Sequence, residues 1–481
     1  MKNILSALVL ALGVSGGVLP AAKPEKPPLV FVSAGTDKKV PQTEAVMLTG
    51  YAAAVEQKIS SQVWTKVSGS DAVLTSPKEP VTLVTGLKPG AYVFRLTATT
   101  DQGLTAQDEV ALQILPPIES RKIDMPVSPN GEIYRPDLTS LGLEPGDTLV
   151  IPPGDYPDGI TLGTFAGTAE KPITIVNGPG GPVKATHLRI NNATFFKLSG
   201  SGSADAYGFQ LGRKGVNAAL AIGRGTGDVE VERVEISKSD AGMMCKLNPT
   251  ADDPLSQYPN FIIKNVRLHD LSIHDVNGEG MYIGHTGPDG GQVGNPLVPI
   301  RLDHVKIYDN RLENTGWDGI QLSNARDNAE IHHNLVKNYG TVNMGSQQAG
   351  IILGGNTCGR VHHNVILGGT GNGLQFFGYG EGEISDNFLD HAGAGSSDQD
   401  AIYANDIPNK WEKNPPLRLI IIRNVINQTV RTAIRNANYH SSEQAGRIAE
   451  NVVFDARNQP AKQLIVSGAL DEIVDNVIIP Q

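Results

Sequence analysis

The stretch Val305 to Leu322, V-K-I-Y-D-N-R-L-E-N-T-G-W-D-G-I-Q-L, decides the fold, because its pattern returns before and after it. Val266 to Ile283, V-R-L-H-D-L-S-I-H-D-V-N-G-E-G-M-Y-I, has the same length and puts apolar residues and an acid-Gly pair at the same places. Shorter copies follow: I-H-H-N-L-V from Ile331, V-H-H-N-V-I from Val361, I-S-D-N-F-L from Ile384, I-I-R-N-V-I from Ile421, I-A-E-N-V-V from Ile448 and I-V-D-N-V-I from Ile473. Their asparagines, Asn310, Asn334, Asn364, Asn387, Asn424, Asn451 and Asn476, lie 23 to 37 residues apart. Short β-branched strands recurring at variable spacing, with Gly, Asn and Asp turns between them, mark a solenoid whose insertions fall in loops.

Each coil offers an I-x-x-N-x-[VIL] strand and, usually eight residues after the Asn, a second strand opening in x-[GA]-[IL], as in D-G-I-Q-L, N-G-L-Q-F and T-A-I-R-N. Alternation sends the apolar positions inward and the polar ones outward, and no helix-period segment of useful length interrupts them. The expectation is an all-β chain dominated by a parallel β-helix. The asparagines should stack from coil to coil with each amide bonded to the turns beside it, a structural role. On these motifs the chain resembles the right-handed parallel β-helix, or pectin-lyase-like, family from about Ile118 to Gln481. The run Tyr134 to Tyr156, with G-T-A-E-K-P-I-T-I after it, resembles the entry coils of secreted polysaccharide lyases of the chondroitinase-B and alginate-lyase kind. Pro136 to Leu143 is placed to cap the first coil.

At 481 residues with a net charge of −10, the chain has room for more than one domain and shows no basic patch for nucleic acid. Residues 1–22 carry one lysine, an apolar run too short for a stable span, and small residues before Lys23, which reads as a cleaved signal peptide and a secreted product with no transmembrane segment. Residues 23–28 form a Pro-rich linker, and Cys245 and Cys358 are expected to be free thiols. Residues 29–116 read as a small sandwich, with Trp64 in its core and Tyr92 where a tyrosine corner would lie. Through V-W-T-K-V-S-G, G-L-K-P-G-A-Y-V-F-R-L-T and D-Q-G-L-T-A this region resembles the polycystic-kidney-disease (PKD) immunoglobulin-like domain, which implies a spacer or a glycan-binding appendage. The β-helix then occupies 117–481, and a monomer is expected.

Chemistry on a β-helix must come from residues stacked on an outer face, because adjacent coils place equivalent positions only ~4.8 Å apart. Aligning the second strands puts Glu279, Asp318, Ala349, Asn372, Asp400 and Thr432 in one column. Met244, Tyr282, Gln321, Ile352, Gln375, Tyr403 and Arg435 form the next, and Lys246, Gly284, Ser323, Gly354, Phe377, Asn405 and Asn436 a third. His285 lies beside them, with Asn324, Arg326 and Asp406 close by. Glu279 and Asp318 are the candidate catalytic pair, since neighbouring carboxylates can keep one protonated as acid while the other serves as base or nucleophile. The alternatives are turn caps that accept backbone N–H bonds, or a calcium site. Lys246, Tyr282 and His285 instead suit an eliminating lyase, which must neutralise a uronate carboxylate and remove the neighbouring proton. Tyr282, Gln321, Asn324, Asn372, Gln375, Asp400, Tyr403 and Arg435 are the candidate sugar-binding residues.

His332-His333 and His362-His363 align one coil apart as conceivable metal ligands, but no Cys or carboxylate completes a set at recognisable spacing, so no metal is assigned there. Family polygalacturonases carry N-x-D, D-D, G-H-G and R-x-K; here only the segment around Asp318 is similar, and G-H-T at Gly284 lacks the second Gly. The D-P-H-E of mannuronan epimerases is absent. The reading is therefore a secreted protein acting on a polysaccharide, a glycoside hydrolase ahead of a uronate lyase, with a non-catalytic glycan-binding protein as the third possibility.

Overall fold

The structure is a computed structural model that describes residues 30–480, apart from 44, 129–130, 287–296, 406–414, 416, 438–445, 456, 458–459 and 469–470. The expected signal peptide, the linker and Asp406 lie outside the described residues. The chain divides into two compact units between Ile118 and Glu119.

The first unit is a small sandwich, antiparallel except where Lys38–Pro41 pairs parallel with Thr105–Leu115. Ile59–Ser68, Gly90–Thr100 and Thr105–Leu115 form one sheet with Lys38–Pro41 at its edge, and Ala45–Thr49, Val81–Thr85 and Val73–Leu74 form another. Alternation along Gly90–Thr100 turns Tyr92, Phe94, Leu96 and Ala98 inward, where they pack with the buried Trp64. The Tyr92 hydroxyl accepts from the Lys88 N–H at 2.9 Å and donates to the Lys88 carbonyl at 3.1 Å, so a ring buried in the core ends in a satisfied polar tip. Gly69 is required beneath that ring: its φ is +104°, and a Cβ there would stand 2.4 Å from the Tyr92 ring.

The second unit is a right-handed parallel β-helix. Among the described residues, 12 parallel strands from Gly154–Tyr156 to Val477–Pro480 make one face, and 25 more, from Lys122–Asp124 to Glu472–Val474, alternate between two others. A 3-10 turn at Thr139–Leu141 lies over the first coil, with Leu138 buried in the core and Leu141 packed against it.

The corner before each asparagine is one residue in the left-handed region, including Asp309, His333, His363, Asp386, Arg423, Glu450 and Asp475, with φ between 51° and 58°. Such a residue turns the chain in a single step at a conformational cost of about 1–2 kcal/mol. The asparagines that follow offset it. Asn364 Oδ1 accepts from both the backbone N–H (3.1 Å) and the Nδ2–H (2.9 Å) of Asn334, while its own Nδ2 donates to the Ile331 carbonyl at 2.9 Å. The same three bonds recur at Asn387, Asn424 and Asn451, making the expected column a continuous buried ladder.

The Gly of x-[GA]-[IL] has an equally local cause. A Cβ at Gly280, Gly319 or Gly350 would stand 2.5–2.6 Å from the carbonyl oxygen of the equivalent glycine on the next coil. Glycine lets those coils touch.

Candidate functional site

Three-residue strands build the outer face in question: Met281–Ile283, Ile320–Leu322, Ile351–Leu353, Leu374–Phe376, Ile402–Ala404 and Ile434–Asn436. Their first and third residues point into the core and the middle one points away from it, half-buried at Tyr282, Gln375, Tyr403 and Arg435 but covered at Gln321 and Ile352. Pairing puts Met244, Tyr282, Gln321, Ile352, Gln375, Tyr403 and Arg435 in one outward column, in the register expected from sequence. One assignment needs correcting. Asn436 pairs with Ala404 and is fully buried, so it belongs to the inward column of Ile283, Leu322 and Phe376; Ala437, which donates its N–H to the Ala404 carbonyl, is the residue after that strand.

The acid column is in register but lies beneath the surface. The Gly280 N–H donates to the Asp318 carbonyl and the Gly319 N–H to the Ala349 carbonyl, which ties successive coils together at these positions. Glu279 and Asp318 are each only 2% exposed. Asp318 Oδ1 accepts the Ala349 N–H at 2.6 Å, and burial, partly opposed by that bond, pushes its carboxyl up to about 7. Burial also raises Glu279, with the Lys246 charge acting against it. Asn372 does the same further along the column, accepting the Asp400 N–H at 2.5 Å. Asp400 is fully buried, bound by Arg431 at 2.8 and 2.5 Å and 3.3 Å from Arg435 Nε.

Above this layer Lys246, Tyr282 and His285 are half-buried and Thr286 is exposed. The Lys246 ammonium sits 3.8 Å from the centroid of the Tyr282 ring. Thr286 Oγ1 is 2.5 Å from the Tyr282 hydroxyl and accepts from Gln321 Nε2 at 2.6 Å. Further along, Gln375 and Tyr403 are half-buried, with Tyr403 edge-on to Phe377 at 5.8 Å. Arg435 lines a cleft of about 430 Å³ with Arg431, Arg457 and Gln463. Asn324 stands apart: it is fully buried, its Nδ2 donates to the Ile300 carbonyl at 2.8 Å and its Oδ1 accepts from Asn356, so its amide supports a turn.

Sequence reasoning missed a charged cluster on a neighbouring face. Glu230, Glu232 and His269 bring potential metal-ligand atoms within 4.8 Å of one another. The Lys197 ammonium already stands among them, 2.7 Å from Glu230 and 2.8 Å from Glu232. Burial alone would lower that ammonium and the imidazole, but the carboxylates outweigh it, holding Lys197 above its ordinary value and His269 at about 9. A protonated His269 and an ammonium supply the positive charge that a cation would bring. The carriers, Lys197, Glu230 and His269, are 33 to 39 residues apart across loops of unequal length, and only pairing at Lys197↔Glu230 and Glu232↔His269 brings them together.

Residues 34–114 match a family described as a PKD domain. The mouse dyslexia-associated protein KIAA0319 homolog is 32% identical over 126 residues, which is 26% of this chain and 12% of that protein. The chain thus spans about an eighth of that relative's length. Among solved structures, a polysaccharide lyase from Pseudopedobacter saltans aligns over 75% of this chain and 93% of its own at 11% identity and a TM-score of 0.42. An alginate lyase from Paenibacillus sp. aligns over 75% and 96% at 13% identity and a TM-score of 0.39. Residues 34–114 are thus similar to a PKD domain, and a parallel β-solenoid follows them.

Proposed function

We propose that the solenoid acts on an acidic polysaccharide laid along the outward column from Tyr282 to Arg435, cleaving it by β-elimination at the Lys246 end. One observation carries this reading: the Lys246 ammonium, packed on the Tyr282 ring, is at the surface, whereas the acid pair below it is buried and Asp318 is committed to a backbone N–H. In this scheme Lys246 neutralises the uronate carboxylate, His285 takes the proton beside it, and the Tyr282 hydroxyl protonates the departing oxygen. Gln375, Tyr403 and Arg435 hold sugar units further along, over a strip of about 24 Å at ~4.8 Å per coil. Reading residues 1–22 as an export signal puts this work outside the cytoplasm, and the proposed division at 29–116 and 117–481 leaves the activity wholly in the second segment.

Hydrolysis by Glu279 and Asp318 is the second reading, favoured by an Asp318 carboxyl pushed up to about 7, as a general acid requires. Incubation with neutral and uronate polymers separates the two. Elimination gives an ultraviolet-absorbing unsaturated uronide, lost in Lys246→Ala and Tyr282→Phe and kept in Asp318→Asn. A saturated product whose formation stops in Asp318→Asn overturns elimination in favour of hydrolysis. Retention of a polymer with no new reducing ends leaves a binding protein.

A further inference from the structure

Away from the outward column, two successive corners each carry a histidine pair, His332-His333 and His362-His363. His333 and His363 adopt φ of 51° and 54°, and this kink sets the neighbouring rings side by side at 88°, with Nδ1 to Nδ1 distances of 3.0 Å in both pairs. Between coils the rings stack nearly parallel, His332 on His362 at 4.9 Å and His333 on His363 at 5.0 Å. All four are half-buried.

In each pair one Nδ1–H donates to the other Nδ1 at 3.0 Å, a spacing that also suits adjacent ligands on one ion, since two metal–nitrogen bonds of about 2.1 Å at a right angle span about 3.0 Å, whereas a tetrahedral pair spans about 3.4 Å. His362 Nε2 stands 3.1 Å from Glu330, itself held by Lys306 at 2.9 Å and Arg360 at 2.6 Å. That carboxylate fixes the His362 proton on Nε2 and leaves the lone pair on Nδ1, as outer partners of metal-bound histidines do.

We infer that this corner binds one Cu²⁺ or Ni²⁺ ion, chelated by the Nδ1 atoms of His362 and His363. Neutral imidazoles suit late first-row ions over Ca²⁺ or Mg²⁺, and a right-angle pair suits square-planar or octahedral ions over tetrahedral Zn²⁺. A single ion follows because two dications about 5 Å apart would repel strongly. When the ion enters, the proton on His363 Nδ1 shifts to Nε2 and the ring stays neutral.

The test titrates CuCl₂ or NiCl₂ into the full chain carrying no polyhistidine tag, by calorimetry and, for copper, by electron paramagnetic resonance. One saturable equivalent with imidazole nitrogen couplings is expected. His363→Asn should remove it, because asparagine tolerates the left-handed turn and keeps the coil folded. Glu330→Gln should weaken it about tenfold. No saturable binding, or copper without nitrogen coupling in the unaltered chain, overturns the inference whatever the variants do. So does unchanged affinity in a His363→Asn chain whose metal-free melting matches the parent.

Discussion

The two halves of the solenoid turn the same corner with opposite chemistry. Pairing puts Phe209, Val234 and Leu271 in the column that continues as Asn310, Asn334 and onward to Asn476. The three N-terminal members are buried and apolar, so there the corner is filled by packing. From Asn310 on it is filled by amides that bond backbone and one another. The left-handed residue before the corner is common to both halves, at Arg233 and Asp270 as at His333 and His363. What the corner demands is a single-residue turn and a filled interior. Hydrogen bonding is one way to fill it, and leaves fewer backbone groups dependent on the loops.

The strongest way to break this comparison is Asn364→Leu, which imposes the N-terminal solution inside the ladder. It leaves the Asn334 N–H and Nδ2–H without their acceptor and the Ile331 carbonyl without its donor, and should cost about 3 kcal/mol in denaturant unfolding. Asn310→Leu should cost less, about 1–2 kcal/mol, because only the Leu271 N–H depends on its oxygen. Equal losses at the two sites would mean that the rungs are independent. The reverse exchange, Leu271→Asn, gives the new amide the Asn310 oxygen as partner and should change stability by no more than about 1 kcal/mol. A large loss there would show that the N-terminal half needs apolar contact at that point.

The ladder could be read from sequence because its donors and acceptors belong to one residue type at one place in a short motif. The outward column was equally legible, because in-out-in strands of three residues leave a single register in which Ile, Leu and Met point inward. Asn436 was misplaced by one position for want of an apolar residue to mark the inward site. The apolar half of the corner column escaped notice because Phe209, Val234 and Leu271 look like any buried strand residues. The cluster of Lys197, Glu230, Glu232 and His269 was hidden for another reason: its members meet only through pairing across loops whose lengths follow no rule.

A finer contrast lies between the neutral ladder and the acid column. The ladder has nothing to titrate between pH 4 and 8. Asp318 does: its carboxyl is raised from 3.8 to about 7 in the folded chain, so the folded state holds a proton that the unfolded state has lost across that window. Stability from this group is therefore complete below about pH 4 and declines as pH rises toward 7. Melting followed across that range should show this decline in the parent and a flatter profile in Asp318→Asn, which can still accept the Ala349 N–H. An identical slope in both would assign the pH dependence elsewhere. Glu279, raised in the same direction, keeps some of the slope in the variant.

Every amide in the ladder points the same way. From Asn310 to Asn451, each Nδ2–H is given to the oxygen of the asparagine on the following coil. The side-chain dipoles are thus aligned head to tail along the solenoid axis, much as peptide dipoles align in an α-helix. Each polarises the next, so a bond in the middle is stronger than the same bond would be alone. Deleting the final coil, with Asn476, should therefore weaken not only the Asn451 rung that bonds it but also the Asn424 rung before it.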